Sequence, residues 1–192
     1  MTVMEIPEGH LATIVTYLEM TKEPALSDIP SGLEISEWPN PEPDEYLAMF
    51  RKVGENWLWF SRLLLDKDQL IAVIQHDDVQ LHKILDGSRA VGFIELDFRE
   101  AGQCEIGFFG LVPEMNGSGH GRWMMVEALR RAWRSGVERV WLHTCTLDSP
   151  RALGFYQNSG FRAYKQEVGM QPDPRLSGHL PRSAAPHIPL LS

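Results

Sequence analysis

The sequence predicts an α+β fold of three layers, in which a mixed, mostly antiparallel central sheet carries helices on both faces. Three observations predict it. An Asp-Gly pair at residues 86–87 separates two runs of strand-forming residues, which is a strong hairpin signal. Residues 121–135 place Met125 and Leu129 on one helical face. Residues 137–146 then return to strand-forming chemistry, so short strands and amphipathic helices alternate along the chain.

Each element has a local signal. β-Branched and aromatic residues in loose alternation predict the strands, and apolar residues three or four apart predict the helices. The predicted strands cover residues 10–19, 79–85, 89–98, 104–112, 137–146 and 161–170. The predicted helices cover residues 44–53, 66–74, 121–135 and a shorter stretch that begins at Ser149, the expected N-cap, and passes through Tyr156. Gly136 is the expected C-terminal cap of the third helix, and Gly160 ends the fourth.

One domain is predicted over residues 1–170, followed by a proline-rich tail at residues 171–192. Within the domain, residues 23–50 contain seven carboxylates, five prolines and no Lys or Arg. Such a run is typical of a solvated, irregular arm, and the alternative is a rim that attracts cationic substrates. The tail contains five prolines and is expected to lie extended across the surface. An extended tail could also cross to a second copy of the chain, so a homodimer is an open alternative.

Composition excludes several classes of partner. The chain has 18 Lys and Arg against 26 Asp and Glu, a net charge of −8, so nucleic acid is disfavoured. No window approaches the ~20 apolar residues of a membrane span, so a bilayer partner is not expected. Two cysteines are too few for a disulfide framework, and a cytoplasmic location is expected. The histidines show no paired spacing to Cys or carboxylates, so no metal site is predicted.

The most informative segment is the run Asn-Gly-Ser-Gly-His-Gly-Arg at residues 116–122, between a predicted strand and a predicted helix. Alternating glycines let backbone N–H groups turn toward a ligand, and a helix N-terminus adds unpaired donors. This combination predicts a pyrophosphate cradle. The spacing matches neither the dinucleotide fingerprint nor the P-loop, so both of those sites are rejected.

Two motifs together resemble a known family. Residues 110–121 read Gly-Leu-Val-Pro-Glu-Met-Asn-Gly-Ser-Gly-His-Gly, and Ser149, Ala152, Phe155 and Tyr156 follow the next strand before a Ser-Gly-Phe run at residues 159–161. This pattern is similar to the GNAT superfamily of N-acetyltransferases, closely over residues 79–170 and more loosely before them. The resemblance implies a GNAT-like fold and acetyl-CoA, without a metal, bound where the strand ending at Val112 splays from the strand through Leu142.

The same resemblance implies a set of cofactor-binding residues. The family uses a Gln or Arg at the first position of the glycine motif, and Asn116 stands there, which should weaken binding of the cofactor without abolishing it. A backbone amide at Leu111 or Val112 is the implied donor to the oxyanion. The implied cofactor-binding residues are Leu111, Val112, Asn116, Gly117, Ser118, Gly119, His120, Gly121, Arg122, Ser149 and Tyr156.

Transfer of an acetyl group to an amine needs a base, and the sequence leaves two candidates open. Glu105 lies 11 residues before Asn116, a spacing that resembles the glutamate base of the histone acetyltransferase branch. Strand alternation predicts that it shares a face with Gly107, Phe109 and Leu111, where desolvation would raise its pKa, and that Asp97 lies nearby. His143 is the rival, because other branches carry a glutamate on this strand and histidine titrates near neutral pH.

The acid is assigned to Tyr156, which matches the family tyrosine that protonates the departing thiolate. Trp57, Trp59 and Glu95 are the expected substrate contacts. Cys145 could act as an acyl-enzyme nucleophile, but no partnered base is evident, so direct attack by the acceptor is preferred. The resulting hypothesis is an acetyl-CoA-dependent N-acetyltransferase acting on a small amine or a peptide amino group. The alternative is a non-catalytic acyl-CoA-binding or regulatory module on the same fold.

Overall fold

The structure, a computed structural model, describes residues 3–191. Its strands are His10–Met20 (β1), Glu34–Glu37 (β2), Val79–Asp86 (β3), Arg89–Asp97 (β4), Gln103–Leu111 (β5), Arg139–Cys145 (β6) and Arg162–Pro172 (β7). Its helices are Pro43–Gly54 (α1), Lys67–Ile74 (α2), His120–Ala132 (α3) and Ala152–Asn158 (α4). Short 3₁₀ turns lie at Glu55–Trp57, Ser61–Leu64 and Pro113–Met115. No helix in the described part of the chain is long and apolar enough to cross a bilayer.

All seven strands form one sheet in the order β2-β3-β4-β5-β6-β1-β7. Neighbouring strands are antiparallel except β5 and β6, which are parallel. Helices lie on both faces: Phe108 of β5 contacts Phe50 of α1, whereas the next residue, Phe109, contacts Phe155 of α4. Successive side chains of a strand point to opposite faces. The predicted fold class is therefore confirmed.

The segment at residues 23–50 is not an irregular arm throughout. Its residues 34–37 form β2, which pairs with the edge of β3. Leu33 and Trp38, on either side of this strand, are buried in the main core. The charges of the segment obscured this strand, because only Ile35 among its four residues is partly buried and the other three are exposed. The prediction of a solvated loop was wrong at this point.

Two helix ends also differ from the sequence prediction. The helix α3 ends at Ala132 with Trp133 as its cap residue, and Gly136 lies in the following turn at φ +87°. The helix α4 begins at Ala152 after an Arg151 cap, so Ser149 is not the N-cap that the Ser-Pro pair predicts. By contrast, α2 lies within the predicted range, and Asp66 caps it, because its side chain accepts a hydrogen bond from the Gln69 N–H.

The C-terminal tail folds back on itself rather than lying extended. Asp173 and Arg175 form a buried ion pair, with side chains 2% and 1% exposed. The guanidinium of Arg175 also donates hydrogen bonds to the carbonyl oxygens of Ile188 and Pro189. Leu180 of this segment belongs to a second apolar cluster whose other fully buried members are Leu11, Leu58, Leu147, Ala184 and Ala185. The expectation of an extended tail was wrong beyond Pro172.

Candidate active site

A cleft opens where β5 and β6 separate. The two strands pair only from Gln103 and Arg139 to Glu105 and Trp141, and beyond these residues no pairing joins them among the described residues. A cavity of about 790 Å³ occupies the opening and reaches from the glycine-rich loop to the aromatic residues after α1. The family resemblance implied a splay at this place.

The Leu111 N–H group points into the cleft. The Val112 N–H donates to the Val91 carbonyl oxygen over 2.9 Å, so it is already used within the sheet. Because successive N–H groups of a strand point in opposite directions, the Leu111 N–H points away from β4 and toward the opening. Of the two amides proposed from the sequence, Leu111 can donate to a ligand. Val112 is fully buried and cannot.

The glycine-rich loop offers a row of free donors. Gly117 and Gly119 adopt φ +83° and +87°, and a Cβ atom added at either would meet nothing within 4 Å. No described residue accepts a hydrogen bond from the N–H groups of residues 117–121, which precede and begin α3. Free N–H groups at a helix N-terminus suit a phosphate group. The loop therefore fits the pyrophosphate of a coenzyme A thioester.

The side chains of this loop contribute unequally. Asn116, Gly117, Gly119 and Gly121 line the cavity, whereas Ser118, His120 and Arg122 do not. The Ser118 hydroxyl donates to the Met115 carbonyl oxygen over 2.6 Å, which closes the turn. The His120 ring contacts the Ser31 hydroxyl at 3.4 Å, and Arg122 is exposed. Backbone groups therefore form this part of the site.

A β-bulge in β5 changes which residues share a face. Glu95 pairs with Phe108, and Leu96 pairs with Ile106, so Gly107 has no partner of its own on β4. An unpaired residue of this kind reverses the alternation beyond it. Glu105 therefore shares its face with Phe108, and the predicted grouping with Phe109 and Leu111 was wrong. The lack of a side chain matters here, because an added Cβ at Gly107 would lie 3.2 Å from Oε1 of Glu95.

The two rival bases are in contact. The Nδ1 atom of His143 lies 3.2 Å from Oε1 of Glu105, where β5 and β6 begin to separate. Both residues line the cavity. The Glu105 carboxylate raises the pKa of His143 by hydrogen bonding, against the lowering effect of burial, and the charge of Asp148 also raises it.

Asp97 of β4 pairs directly with Glu105 of the neighbouring strand β5, as expected. It forms an ion pair with Arg99. Burial would raise the pKa of Asp97, but the hydrogen bonds and charge of Arg99 outweigh burial and hold the pKa below its ordinary value. Asp97 is therefore a neutralised carboxylate beside the pair formed by Glu105 and His143. A smaller space of about 400 Å³ adjoins here and is lined by Asp97, Arg99, Glu100, Glu105 and Trp141.

Tyr156 lies on the opposite side of the cavity, on α4. Its ring packs against Phe109, Phe155 and Phe161. Burial raises the pKa of the phenol, and the charge of Asp148 raises it further. The hydroxyl therefore stays protonated through the neutral and mildly alkaline range. Ser149 also lines the cavity, and its hydroxyl accepts the Arg151 N–H over 3.4 Å.

The expected substrate contacts all line the cavity, but with partners that the sequence did not indicate. The carboxylate of Glu95 is 1% exposed and forms an ion pair with Arg62. It also accepts a hydrogen bond from the Tyr46 hydroxyl over 2.7 Å. The Trp57 ring meets the His187 ring of the tail at 5.9 Å. The Trp59 indole donates from Nε1 to Asp148 over 3.3 Å. No described residue of 23–50 lines the cavity, so the segment does not form its rim.

Arg62 and Asp148 also line the cavity, and neither was among the residues predicted from the sequence. Arg62 is 17% exposed and faces the cavity with Glu95, and no motif in the sequence marks it. Asp148 accepts hydrogen bonds from the Thr144 hydroxyl and the Cys145 N–H, over 2.7 and 2.8 Å. An Asp one residue before a Ser-Pro pair was the available signal for a structured loop.

Cys145 also lines the cavity, and burial raises the pKa of its thiol. A thiol with a raised pKa is a poor nucleophile at neutral pH. Among the described residues, no group of three or more His, Cys, Asp and Glu side chains is arranged to hold a metal ion.

Comparison with known proteins identifies the family of the chain. A sequence model described as the Acetyltransferase (GNAT) family matches residues 32–161. No curated protein matches the sequence. The GCN5-related N-acetyltransferase from Sphaerobacter thermophilus superposes with a TM-score of 0.62 at 16% identity, over 86% of this chain and 52% of that one. The GCN5-related N-acetyltransferase from Kribbella flavida gives 0.58 at 16% identity, over 88% and 63%.

A third solved structure is an aminoglycoside acetyltransferase from an uncultured soil metagenomic sample, with a TM-score of 0.57 at 16% identity, over 71% of this chain and 93% of that one. Identities this low show a shared fold. This chain spans about half to two-thirds of the length of the Sphaerobacter and Kribbella proteins. Because the family match covers more than half of the 192 residues, the chain belongs to the GNAT family of acetyltransferases.

Proposed function

We propose that the protein transfers an acetyl group from acetyl-CoA to the amino group of a small molecule or peptide, by direct attack of the amine. The observation that carries the proposal is the contact between His143 and Glu105 at the point where β5 and β6 separate. It supplies a base beside a cleft that has free N–H groups for a phosphate at one end. Acetyl-CoA, when bound, supplies an activated acyl group and a thiolate leaving group.

The binding role falls to the backbone. The free N–H groups of residues 117–121 would hold the pyrophosphate, and the loss of a long side chain at Asn116 is tolerable because these donors belong to the main chain. The Leu111 N–H would donate to the carbonyl oxygen of the acyl group. A donor fixed in a strand stabilises charge that develops on that oxygen without having to reorganise.

The base is the pair, with separate tasks for its two members. Contact between Nδ1 of His143 and the Glu105 carboxylate favours the tautomer with the proton on Nδ1. The Nε2 atom is then free to accept a proton from the amine. Glu105 stabilises the imidazolium that forms, in the way a carboxylate orients a catalytic histidine elsewhere. Tyr156 would give its phenol proton to the departing thiolate, since its raised pKa keeps that proton available.

Three observations favour an amine as the acceptor. Asp97, Glu95 and Glu105 bring three carboxylates to the cavity, and two arginines, Arg62 and Arg99, balance two of them. Aromatic rings after α1 add a wall that binds organic cations well. A structural neighbour named an aminoglycoside acetyltransferase is similar in fold, which is consistent with an amine acceptor.

The test is release of coenzyme A from acetyl-CoA over a panel of primary amines, including diamines, aminoglycosides and a lysine peptide. The proposal predicts turnover with at least one amine and its loss in the double variant Glu105→Gln, His143→Ala. If acetyl-CoA binds in calorimetry but no amine supports turnover above the buffer rate, the alternative of a non-catalytic acyl-CoA-binding module replaces the enzyme.

A further inference from the structure

One side chain spans the cleft between the two separated strands. Trp59 lines the cavity in this opening. Its ring covers Gly110, since an added Cβ there would lie 3.2 Å from Cη2, and its Nε1 donates to Asp148 over 3.3 Å.

The indole is held rigidly between its two ends. An added Cβ at Gly54 would lie 2.4 Å from the Trp59 Cβ, so α1 ends in direct contact with the side chain. The rings of Phe50 and Phe108 pack against the indole with centroids 5.7 and 5.1 Å away. The residue before it, Leu58, is held at φ +52°, a strained conformation for a leucine that persists only where packing imposes it.

The far end is held by the carboxylate of Asp148, both of whose oxygens are occupied. Oδ1 accepts the Trp59 N–H, and Oδ2 accepts the Thr144 hydroxyl and the Cys145 N–H. Thr144 and Cys145 belong to β6, so the carboxylate ties the indole to that strand. The Trp59 side chain packs on β5 and is connected through Asp148 to the end of β6. It therefore fixes the distance between the two strands.

We propose that Trp59 and Asp148 form a strut across the cleft, and that this strut limits the length of acyl chain that the cleft accepts. The inference rests on the proposed acyl transfer. The Leu111 N–H, which would hold the acyl carbonyl, belongs to the residue after Gly110, so the acyl group would lie beside the indole. An acetyl group fits such a space, whereas further methylene groups meet a wall that cannot move.

The test compares affinities for acetyl-CoA, butyryl-CoA and unacylated coenzyme A by calorimetry, without an acceptor. The variants are Trp59→Phe, which keeps a ring but loses the hydrogen bond, and Asp148→Asn, whose single acceptor oxygen cannot serve both ends. Trp133→Phe is the matched control, because the buried Nε1 of Trp133 has no hydrogen-bond partner among the described residues.

The wild type and the control should bind acetyl-CoA at least 10-fold more tightly than butyryl-CoA, since one extra methylene in a tight pocket costs about 10–200-fold. In both strut variants the ratio should fall below about threefold, with the affinity for unacylated coenzyme A unchanged. An unchanged ratio in either variant overturns the strut. Failure of the wild type to bind any acyl-CoA overturns both this inference and the proposed function.

A second readout uses the free protein. If the two residues form one unit, thermal unfolding of the double variant should begin no lower than that of the less stable single variant. Additive losses of thermal stability in the double variant would overturn the claim that the two residues form one unit. Binding that discriminates by chain length without any amine turnover supports the strut and contradicts the proposed function, so the two can fail separately.

Discussion

The Nδ1 atom of His143 lies 3.2 Å from Oε1 of Glu105, so the two residues that the sequence offered as alternative bases form one pair. Each comes from one of the two strands that separate immediately beyond the contact. The contact raises the pKa of the histidine and leaves Nε2 free to accept a proton. A single substitution in either member should therefore change the same pH-dependent step.

The glycine loop should lose its ligand when a charged side chain is added. Gly119→Glu is expected to abolish acetyl-CoA binding, because the carboxylate would occupy the position of the pyrophosphate. Gly136→Glu is the matched control, since Gly136 also has φ +87° and open space beyond it, at the other end of α3. Calorimetry should give normal affinity for the control. Equal losses in both would mean that backbone strain, and not the loss of a phosphate cradle, explains the effect.

Removing the phenol of Tyr156 should slow turnover without weakening binding. Tyr156→Phe keeps the ring against Phe109 and Phe161, so packing should survive. We expect kcat to fall about 10²–10⁴-fold, as for loss of a general acid, with an unchanged Kd for acetyl-CoA. Tyr164→Phe, at an exposed tyrosine of β7, should leave both constants unchanged. Full kcat in Tyr156→Phe would remove this residue from the mechanism.

His82 should make the fold sensitive to acid. Burial lowers its pKa from 6.5 to about 4, and the neighbouring Arg131 acts in the same direction, against Glu37. A lowered folded-state pKa gives stability that is present above pH 6.5 and lost as the pH falls toward 4. By pH 5 the loss is about 2 kcal/mol, or roughly 4–8 °C in Tm. His82→Leu should show a correspondingly smaller fall in Tm between pH 7 and pH 5, and an equal fall would contradict the assignment.

Removing one partner of the buried ion pair between Asp173 and Arg175 should destabilise the fold. Arg175→Met leaves the Asp173 carboxylate buried without its partner, and we expect a loss of about 3–5 kcal/mol in the free energy of unfolding. The double variant Asp173→Asn, Arg175→Met should recover part of this loss. Denaturant titration measures both. A double variant less stable than Arg175→Met would show that the carboxylate has another role.

Local signals explain which parts of the fold the sequence predicted. The hairpin between β3 and β4 follows from Gly87 at φ +60° in a two-residue connection, and α2 follows from its Asp66 cap. The strand β2 depends on a distant edge of β3 and carries no apolar alternation of its own, so it was missed. The bulge at Gly107 was missed for the same reason, because it exists only in relation to β4.

The features of the candidate site also fall into two groups, those with a local sequence signal and those without one. The glycine loop and Tyr156 carry short motifs and were identifiable. The contact between Glu105 and His143 depends on the parallel register of β5 and β6, which no local pattern encodes. The bond from Trp59 to Asp148 joins residues 89 positions apart. The charge balance of the cavity could not be predicted either, because Arg62 neutralises Glu95 only after the segment following α1 has folded onto the sheet.

The role of Glu105 and His143 as the base is tested most directly by the pH dependence of kcat/KM for the wild type and Glu105→Gln, with one amine acceptor so that its own ionisation is common to both. The raised pKa of His143 predicts a wild-type acid limb with its midpoint above pH 6.5. Removing the carboxylate should move that midpoint to lower pH and lower the plateau. His143→Ala should abolish this limb and leave only the ionisation of the amine. A midpoint that stays in place in Glu105→Gln, or a limb that survives in His143→Ala, would contradict the pair as the base.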